Sequence, residues 1–284
     1  MNQEMFKQGF THSTIFHADD VFSTALCKLL FGEDFQVTRG MSVPKDFDGI
    51  VYDLGRGKFD HHQSDRAVRS NGIPYASFGL LWREFGSRLV AEEDVEKFDK
   101  KFIEAIDKVD NLGGHDEICD MIATMNPYFD EEKDENEAFF EAVDIAKVIL
   151  KRAIGSMNAN RRAQKLMIEK VENMEDRIVV LDKYIPWMET VVPSEAEFII
   201  FPSLRGGYCA QTVPKSLKNI SDTKIPFPEA WAGQEYELLP KLSGVETMCF
   251  AHNGRFLITC QTVEDCIKAC KISRKIYLEE KQGE

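Results

Sequence analysis

The chain has no long apolar run: nothing in its 284 residues approaches the ~18 apolar positions of a membrane-spanning helix. Its first residues, MNQEMFKQGF, have neither the basic start nor the apolar stretch of a secretory signal, so a cytoplasmic setting is expected. None of the seven cysteines forms a C-x-x-C pair, the count is odd, and reduced thiols are the expectation. Cys249, Cys260, Cys266 and Cys270 are read as small buried hydrophobes rather than a zinc site. Positive charge is also short, with 35 Lys and Arg against 48 Asp and Glu and a formal net charge of -13. Affinity for duplex nucleic acid comes largely from phosphate neutralisation by Lys and Arg, so no stable binding of duplex DNA is expected, and no membrane association. A short anionic substrate held by a local basic pocket and a metal stays open.

What is present suffices for a sizeable core, with 43% hydrophobic and 11% aromatic residues and length for two domains. Strand-like runs at 9–12, 35–38 and 50–52 alternate with apolar-striped helices at 21–31, 76–85 and 91–109. This alternation predicts an α/β domain over 1–133, with a parallel sheet covered by helices. Residues 134–175 read as a helical connector with a break near Gly155. Short β-type runs at 178–181, 198–201, 208–213, 248–250 and 256–260, then a closing helix at 263–277, predict a smaller α+β domain over 176–284.

The densest chemistry lies at 51–62, VYDLGRGKFDHH. An apolar strand ends on the carboxylate of Asp53, and a glycine-punctuated turn leads to Asp60-His61-His62. Acids and imidazoles packed this close to a core are costly without partners, and divalent metal is the simplest partner. Upstream, one loop carries His12 and His17 and then Asp19 and Asp20. Either acid alone can be a helix cap or a first-turn acid, but that leaves the two histidines unexplained. In parallel sheets ligands sit beyond the carboxyl ends of the strands, where His12, His17, Asp19 and Asp53 all fall. Asp107 and Asp110 share one face at a helix C-terminus, where acids oppose the macrodipole unless a cation compensates. His115 reads as a surface loop residue.

His12, His17, Asp19, Asp53, His61 and one of Asp107 or Asp110 make six donors. One ion needs three or four protein ligands, so two divalent ions are expected, with Asp53 as the bridge. Mixed imidazole and carboxylate favours Mn2+, with Zn2+, Fe and Mg2+ open. Two cations about 4 Å apart can serve an in-line phosphoryl displacement. His62 is placed to bond the phosphate or protonate the leaving oxygen, and Asp60 to orient an imidazole. Arg66 and Arg69 follow closely, where a phosphate-gripping arginine is useful, although solvated loop charges are the commoner case. Arg205-Gly206-Gly207 and His252-Asn253-Gly254-Arg255 can meet an anion, but taken alone both read as hairpin turns.

These residues carry a resemblance. Asp60-His61-His62, the strand-end acid and the early His/Asp loop resemble the DHH phosphoesterase superfamily. More narrowly, THSTIFHADD, IVYDLG, FDHHQ, NGIPYASFGLLW and AIDKVDN are similar to the Myg family of melanocyte-proliferating-gene proteins, whose eukaryotic members act as 3′–5′ RNA exonucleases. VVLDKYIPW, QTVPKS, FPEAWAG and CFAHNGRF extend the similarity over nearly the whole chain. The resemblance implies the metal ligands named above, with the fourth-motif aspartate at Asp107 or, preferably, Asp110. It also implies phosphate binding by the second domain, which raises Arg205, His252 and Arg255. The first loop departs from the usual His-x-x-x-Asp-x-Asp, with His17 in place of the middle acid and one residue added. The expected activity is a metal-dependent phosphodiesterase, a 3′–5′ exonuclease on short RNA or another small phosphodiester. A small-molecule phosphatase or pyrophosphatase, and a non-catalytic nucleotide-binding regulator, are the alternatives. A homodimer is open to it.

Overall fold

The computed structural model describes residues 6–283. The chain divides into two compact units, Met1–Asn158 and Ala159–Glu284.

In the first unit, β1 (Gln8–Thr11), β2 (Gln36–Arg39) and β3 (Ile50–Val51) form a sheet in the order β2-β1-β3, parallel throughout as the alternation predicts. Helix α1 (Ala18–Phe31) buries Val21, Phe22, Ala25 and Leu26 completely, since apolar residues recur at the spacing of one helix face. Helix α2 (Ser77–Phe85) brings in Phe78, Leu81 and Trp82. The Trp82 ring packs 4.5 Å from that of Phe98, and its Nε1 donates to the carbonyl of Val95 at 3.0 Å.

The helix expected over 91–109 has an internal irregularity. Helices α3 (Glu92–Phe98) and α4 (Glu104–Leu112) are joined by a π-helical stretch at Asp99–Ile103. A π stretch carries extra residues per turn and so rephases the inward face. Here Ile103, Ile106 and Asp107 all turn inward, and α4 runs on past Asp110. Helix α5 (Glu117–Ala123) starts on Asp116, whose carboxylate accepts from the N–H groups of Ile118 and Cys119.

Helix α6 (Glu135–Glu172) is 38 residues long and runs through Gly155 without the expected break. A helical glycine costs about 1 kcal/mol relative to alanine, too little to interrupt a helix that buries Phe139, Val143, Ala146 and Leu150. The division between the units falls inside this helix.

The second unit is built on a five-stranded sheet. Its strands are β4 (Ile178–Val180), β5 (Phe198–Pro202), β6 (Tyr208–Thr212), β9 (Met248–Ala251) and β10 (Leu257–Cys260), in the order β4-β5-β6-β10-β9. Only β4 and β5 pair in parallel. Two short strands, β7 (Pro214–Ser216) and β8 (Asn219–Thr223), make a separate ribbon, and helices α7 (Met188–Val191) and α8 (Leu239–Ser243) are brief. Helix α9 (Val263–Gly283) buries Cys266, Ala269 and Cys270 against the sheet, beside Cys260, so these thiols fill core space. Among the described residues no helix is long and apolar enough to cross a membrane.

Trp82→Ala should lower the stability of the first unit by about 3–5 kcal/mol, the usual cost of emptying a buried aromatic site. Chemical denaturation followed by fluorescence and circular dichroism measures it; a loss below about 1 kcal/mol would mean that Trp82 is not packed as described.

Candidate metal centre

Strand β1 ends at Thr11 and delivers His12 into a loop held by two side chains. The Asn126 amide accepts the N–H of Phe16 at 3.0 Å and donates to its carbonyl at 2.9 Å. Arg39, at the end of β2, donates to the carbonyls of His12 and Thr14 at 3.1 and 2.7 Å. His17 caps α1, and Asp20 accepts the His17 N–H at 2.8 Å. Asp19 instead accepts the N–H groups of Ser77 and Phe78 at 3.1 and 2.7 Å. These are among the N–H groups that a helix start leaves without internal partners, and they favour an anion there.

Immediately after β3 the chain enters the left-handed region at Asp53, φ 61°. Aspartate tolerates this better than most residues. The turn lets the Asp53 N–H meet the carbonyl of Phe59 at 3.0 Å and sets its carboxylate between two imidazoles. Oδ2 lies 3.0 Å from His12 Nε2 and Oδ1 lies 3.0 Å from His61 Nε2. His61 Nε2 is also 3.2 Å from Asp110 Oδ2. Three groups of donors converge: His12, Asp20 and Asp53; Asp19, His61 and Asp110; and Asp53, His61 and His62. Asp53 touches both imidazoles.

The charges do not balance internally. Asp19, Asp20, Asp53 and Asp110 meet two imidazoles, His12 and His61, so the four acids outnumber the rings by two, and Arg39 is a further cation acting on Asp20. Burial raises the pKa of Asp19 and Asp110, and brings Asp20 up to about 7. Burial acts the same way on Asp53, but hydrogen bonds and charge from His12 and His61 outweigh it and hold the group at about 2. On His61 burial favours the neutral ring, and Asp53 and Asp110 outweigh it, to about 9. Oxygen and imidazole donors with excess negative charge fit divalent cations held by His12, Asp20 and Asp53 on one side and by Asp19, His61 and Asp110 on the other. A cavity of about 530 Å3 opens onto His12, Asp53, His61 and Asp110, with His17, His62, Arg66 and Asn111 also in its walls.

The structure sorts the remaining candidates. Asp60 takes the N–H of Arg56 at 2.6 Å and faces His62 Nδ1 at 2.7 Å; the His62 ring is 61% exposed. Of the two aspartates left open, Asp110 faces His61, while Asp107 points to Arg69 at 2.6 Å and takes the Gly79 N–H at 3.2 Å. A Cβ at Gly79 would fall 1.9 Å from Asp107 Oδ2, so glycine makes room for this contact. Arg69 is buried between Asp99 and Asp107 and stacks 3.9 Å over the Tyr75 ring. It is therefore a buried ion-pair partner and is not among the residues that line the cavity. His17 is exposed, its ring 6.4 Å from that of His12, and it belongs to none of the donor groups among the described residues. In the second unit, His252 Nδ1 accepts the Gly254 N–H at 2.9 Å and Arg255 Nε donates to the carbonyl of Phe227 at 2.7 Å, which fits the hairpin reading. Arg205 is exposed on the turn between β5 and β6, at the edge of a mainly apolar cavity of about 700 Å3.

Asn111 went unassigned in the sequence. Its Oδ1 lies 3.2 Å from His61 Nδ1 and 2.9 Å from Arg66 Nη1, and its Nδ2 donates to the carbonyl of Asp107 at 3.0 Å. An amide oxygen only accepts, so Nδ1 carries the proton and Nε2 is the atom of His61 that could ligate a cation. The signal was its place directly after Asp110 in AIDKVDN. Asn126 and Arg39 gave no such signal, because each acts on backbone distant in sequence.

Two outcomes follow. Asn111→Ala should weaken Mn2+ binding by about 10- to 100-fold, the cost of an outer hydrogen-bonding partner, as read by titration calorimetry. For the metal-free protein, a His61 pKa raised from 6.5 to about 9 gives stability that is fully present below pH 6.5 and lost as pH climbs through 9. Its melting temperature should fall over that window in chelator, and saturating Mn2+ should flatten or reverse the slope. A slope unchanged by Mn2+ would argue against cation binding here.

The family model described as "Uncharacterised protein family (UPF0160)", the MYG1 exonuclease model, matches residues 9–273. The MYG1 protein of Chlamydia pneumoniae is 27% identical, over 93% of this chain and 95% of its own. The MYG1 protein of Dictyostelium discoideum is 25% identical, over 95% of this chain and 98% of its own. The protein of Homo sapiens named MYG1 exonuclease is 25% identical, over 94% of this chain and 86% of its own. No solved structure gives a significant match. Because the family model matches residues 9–273 of this chain, the chain belongs to the MYG1 exonuclease family.

Proposed function

We propose that the chain is a metal-dependent phosphodiesterase that removes mononucleotides from the 3′ end of short RNA. The observation that carries this reading is the gathering of His12, Asp19, Asp20, Asp53, His61 and Asp110 into neighbouring donor groups, four of which, His12, Asp53, His61 and Asp110, line one cavity with Arg66 and the exposed His62. Membership of a family whose human member is named an exonuclease supports the nuclease class.

Divalent cations held by these donors would supply Lewis-acid charge at a phosphoryl group and ease the ionisation of water. The chain's own residues bind, orient and move protons. Asp53 fixes both imidazoles at 3.0 Å, and Asn111 fixes the tautomer of His61. Arg66, tethered to Asn111 through Nη1, keeps its other N–H groups for an anionic oxygen. Asp60 accepts from His62 Nδ1 and leaves Nε2 to bond the phosphate or to give a proton to the leaving oxygen. A net charge of -13 and a cavity of nucleotide size favour a short substrate over a duplex.

The test uses the full chain with Mn2+ and a 5′-labelled short RNA. A ladder shortening from the 3′ end, with mononucleotides released, is expected, and Asp53→Asn or chelation should return it to background. His62→Gln should lower kcat about 100- to 10,000-fold with a smaller change in KM, as for a lost general acid. Equal turnover by Asp53→Asn would sink the mechanism. Inorganic phosphate from pyrophosphate, without mononucleotide release, would decide for a phosphatase instead.

A further inference from the structure

Asp20 carries an oxygen that the fold leaves unanswered. Its side chain is fully buried, and Oδ1 accepts the His17 N–H at 2.8 Å in the first turn of α1. Oδ2 has no hydrogen-bond partner among the described residues. The His12 Nε2 atom lies 3.4 Å from this oxygen, and the same nitrogen is 3.0 Å from Asp53 Oδ2. His12 Nδ1 is already engaged by Thr14 Oγ1 at 2.9 Å. One Nε2 proton can serve only one of the two carboxylate oxygens that face it. A cation among the three atoms answers all of them: it takes the Nε2 lone pair and both carboxylates, while Nδ1–H goes to Thr14 as in ligating histidines generally. Helix capping explains Oδ1 alone. It requires no second carboxylate oxygen withdrawn from water and aimed at an imidazole and another acid.

We propose that Asp20, His12 and Asp53 form one cation subsite, beside the subsite of Asp19, His61 and Asp110, and that Asp20 fills the ligand place the sequence pattern gives to His17. This rests on the metal-dependent reading of the centre.

The discriminating variant is Asp20→Asn, which keeps the volume and the oxygen that caps His17 but puts an amide NH2, with no lone pair to give, where Oδ2 stood. With Mn2+ alone, the wild-type chain should bind two ions. Asp20→Asn should retain one and bind the other more than about 100-fold more weakly, beyond the about 10- to 100-fold cost of losing an outer partner. The spin-coupled electron paramagnetic resonance signal of a Mn2+ pair should disappear, while the metal-free variant melts no lower than the wild type. His17→Gln should still bind two ions. As a direct probe of ligation, Asp20→Cys titrated with Cd2+ should develop a thiolate-to-metal charge-transfer band, and this variant decides the matter if Asp20→Asn does not fold. Two Mn2+ ions held by Asp20→Asn within a few-fold of wild-type affinity, or no Cd2+ band from a folded Asp20→Cys, overturns the assignment alone. Failure of the wild type to bind any Mn2+ overturns the metal-dependent reading and this inference with it.

Discussion

The Asp53 carboxylate, held at 3.0 Å by His12 on one side and His61 on the other, ties three stretches of chain together at one point. His12 arrives from β1, His61 from the loop after β3, and Asp110 reaches His61 from α4. Asp53 itself sits in a backbone conformation that most residues avoid, and the fold keeps it there with the hydrogen bond to Phe59. Local strain and concentrated negative charge both oppose folding. Their presence at one spot supports the proposed reading of a cation site.

Two acids on α4 show the distinction within a single helix. Asp107 is fully buried and compensated, with Arg69 at 2.6 Å and a backbone N–H at 3.2 Å. Asp110, one turn later, faces an imidazole that Asp53 already shares. A compensated buried ion pair is a structural element, and its arginine is not available to a substrate. An under-compensated acid beside a cavity asks for a cation. The Arg69 network also fixes the phase of α4, and so decides which of the two acids reaches the open side.

Much of this arrangement was legible in sequence, because strand-to-carboxylate transitions and clustered histidines are local patterns. The parallel sheet follows from the alternation of strands and helices, and the nearness of Asp53, Asp60 and His61 from neighbours within a few residues. Contacts that span the chain were not legible. Nothing in the pattern shows that Asp99, thirty positions after Arg69, claims its guanidinium. The π-helical stretch that rephases Asp107 and Asp110 leaves no mark in an apolar stripe with ordinary spacing. Asp20 read as an ordinary first-turn acid because a cap and a second, buried oxygen look alike in one dimension. The helix through Gly155 shows the converse: a local breaker signal was overruled by burial on both sides of it.

The reciprocal amide clamp between Phe16 and Asn126 spans 110 positions, and it sets a late moment for the site's assembly. During synthesis His12 and Asp53 emerge well before the segment that holds their loop in place. Until that loop closes, the acids remain apart in water, where their mutual repulsion is screened and no cation has a cage to enter. A cation held by these donors would then be a readout of completed folding of the first unit, and its binding energy would enter the account of the native state alone.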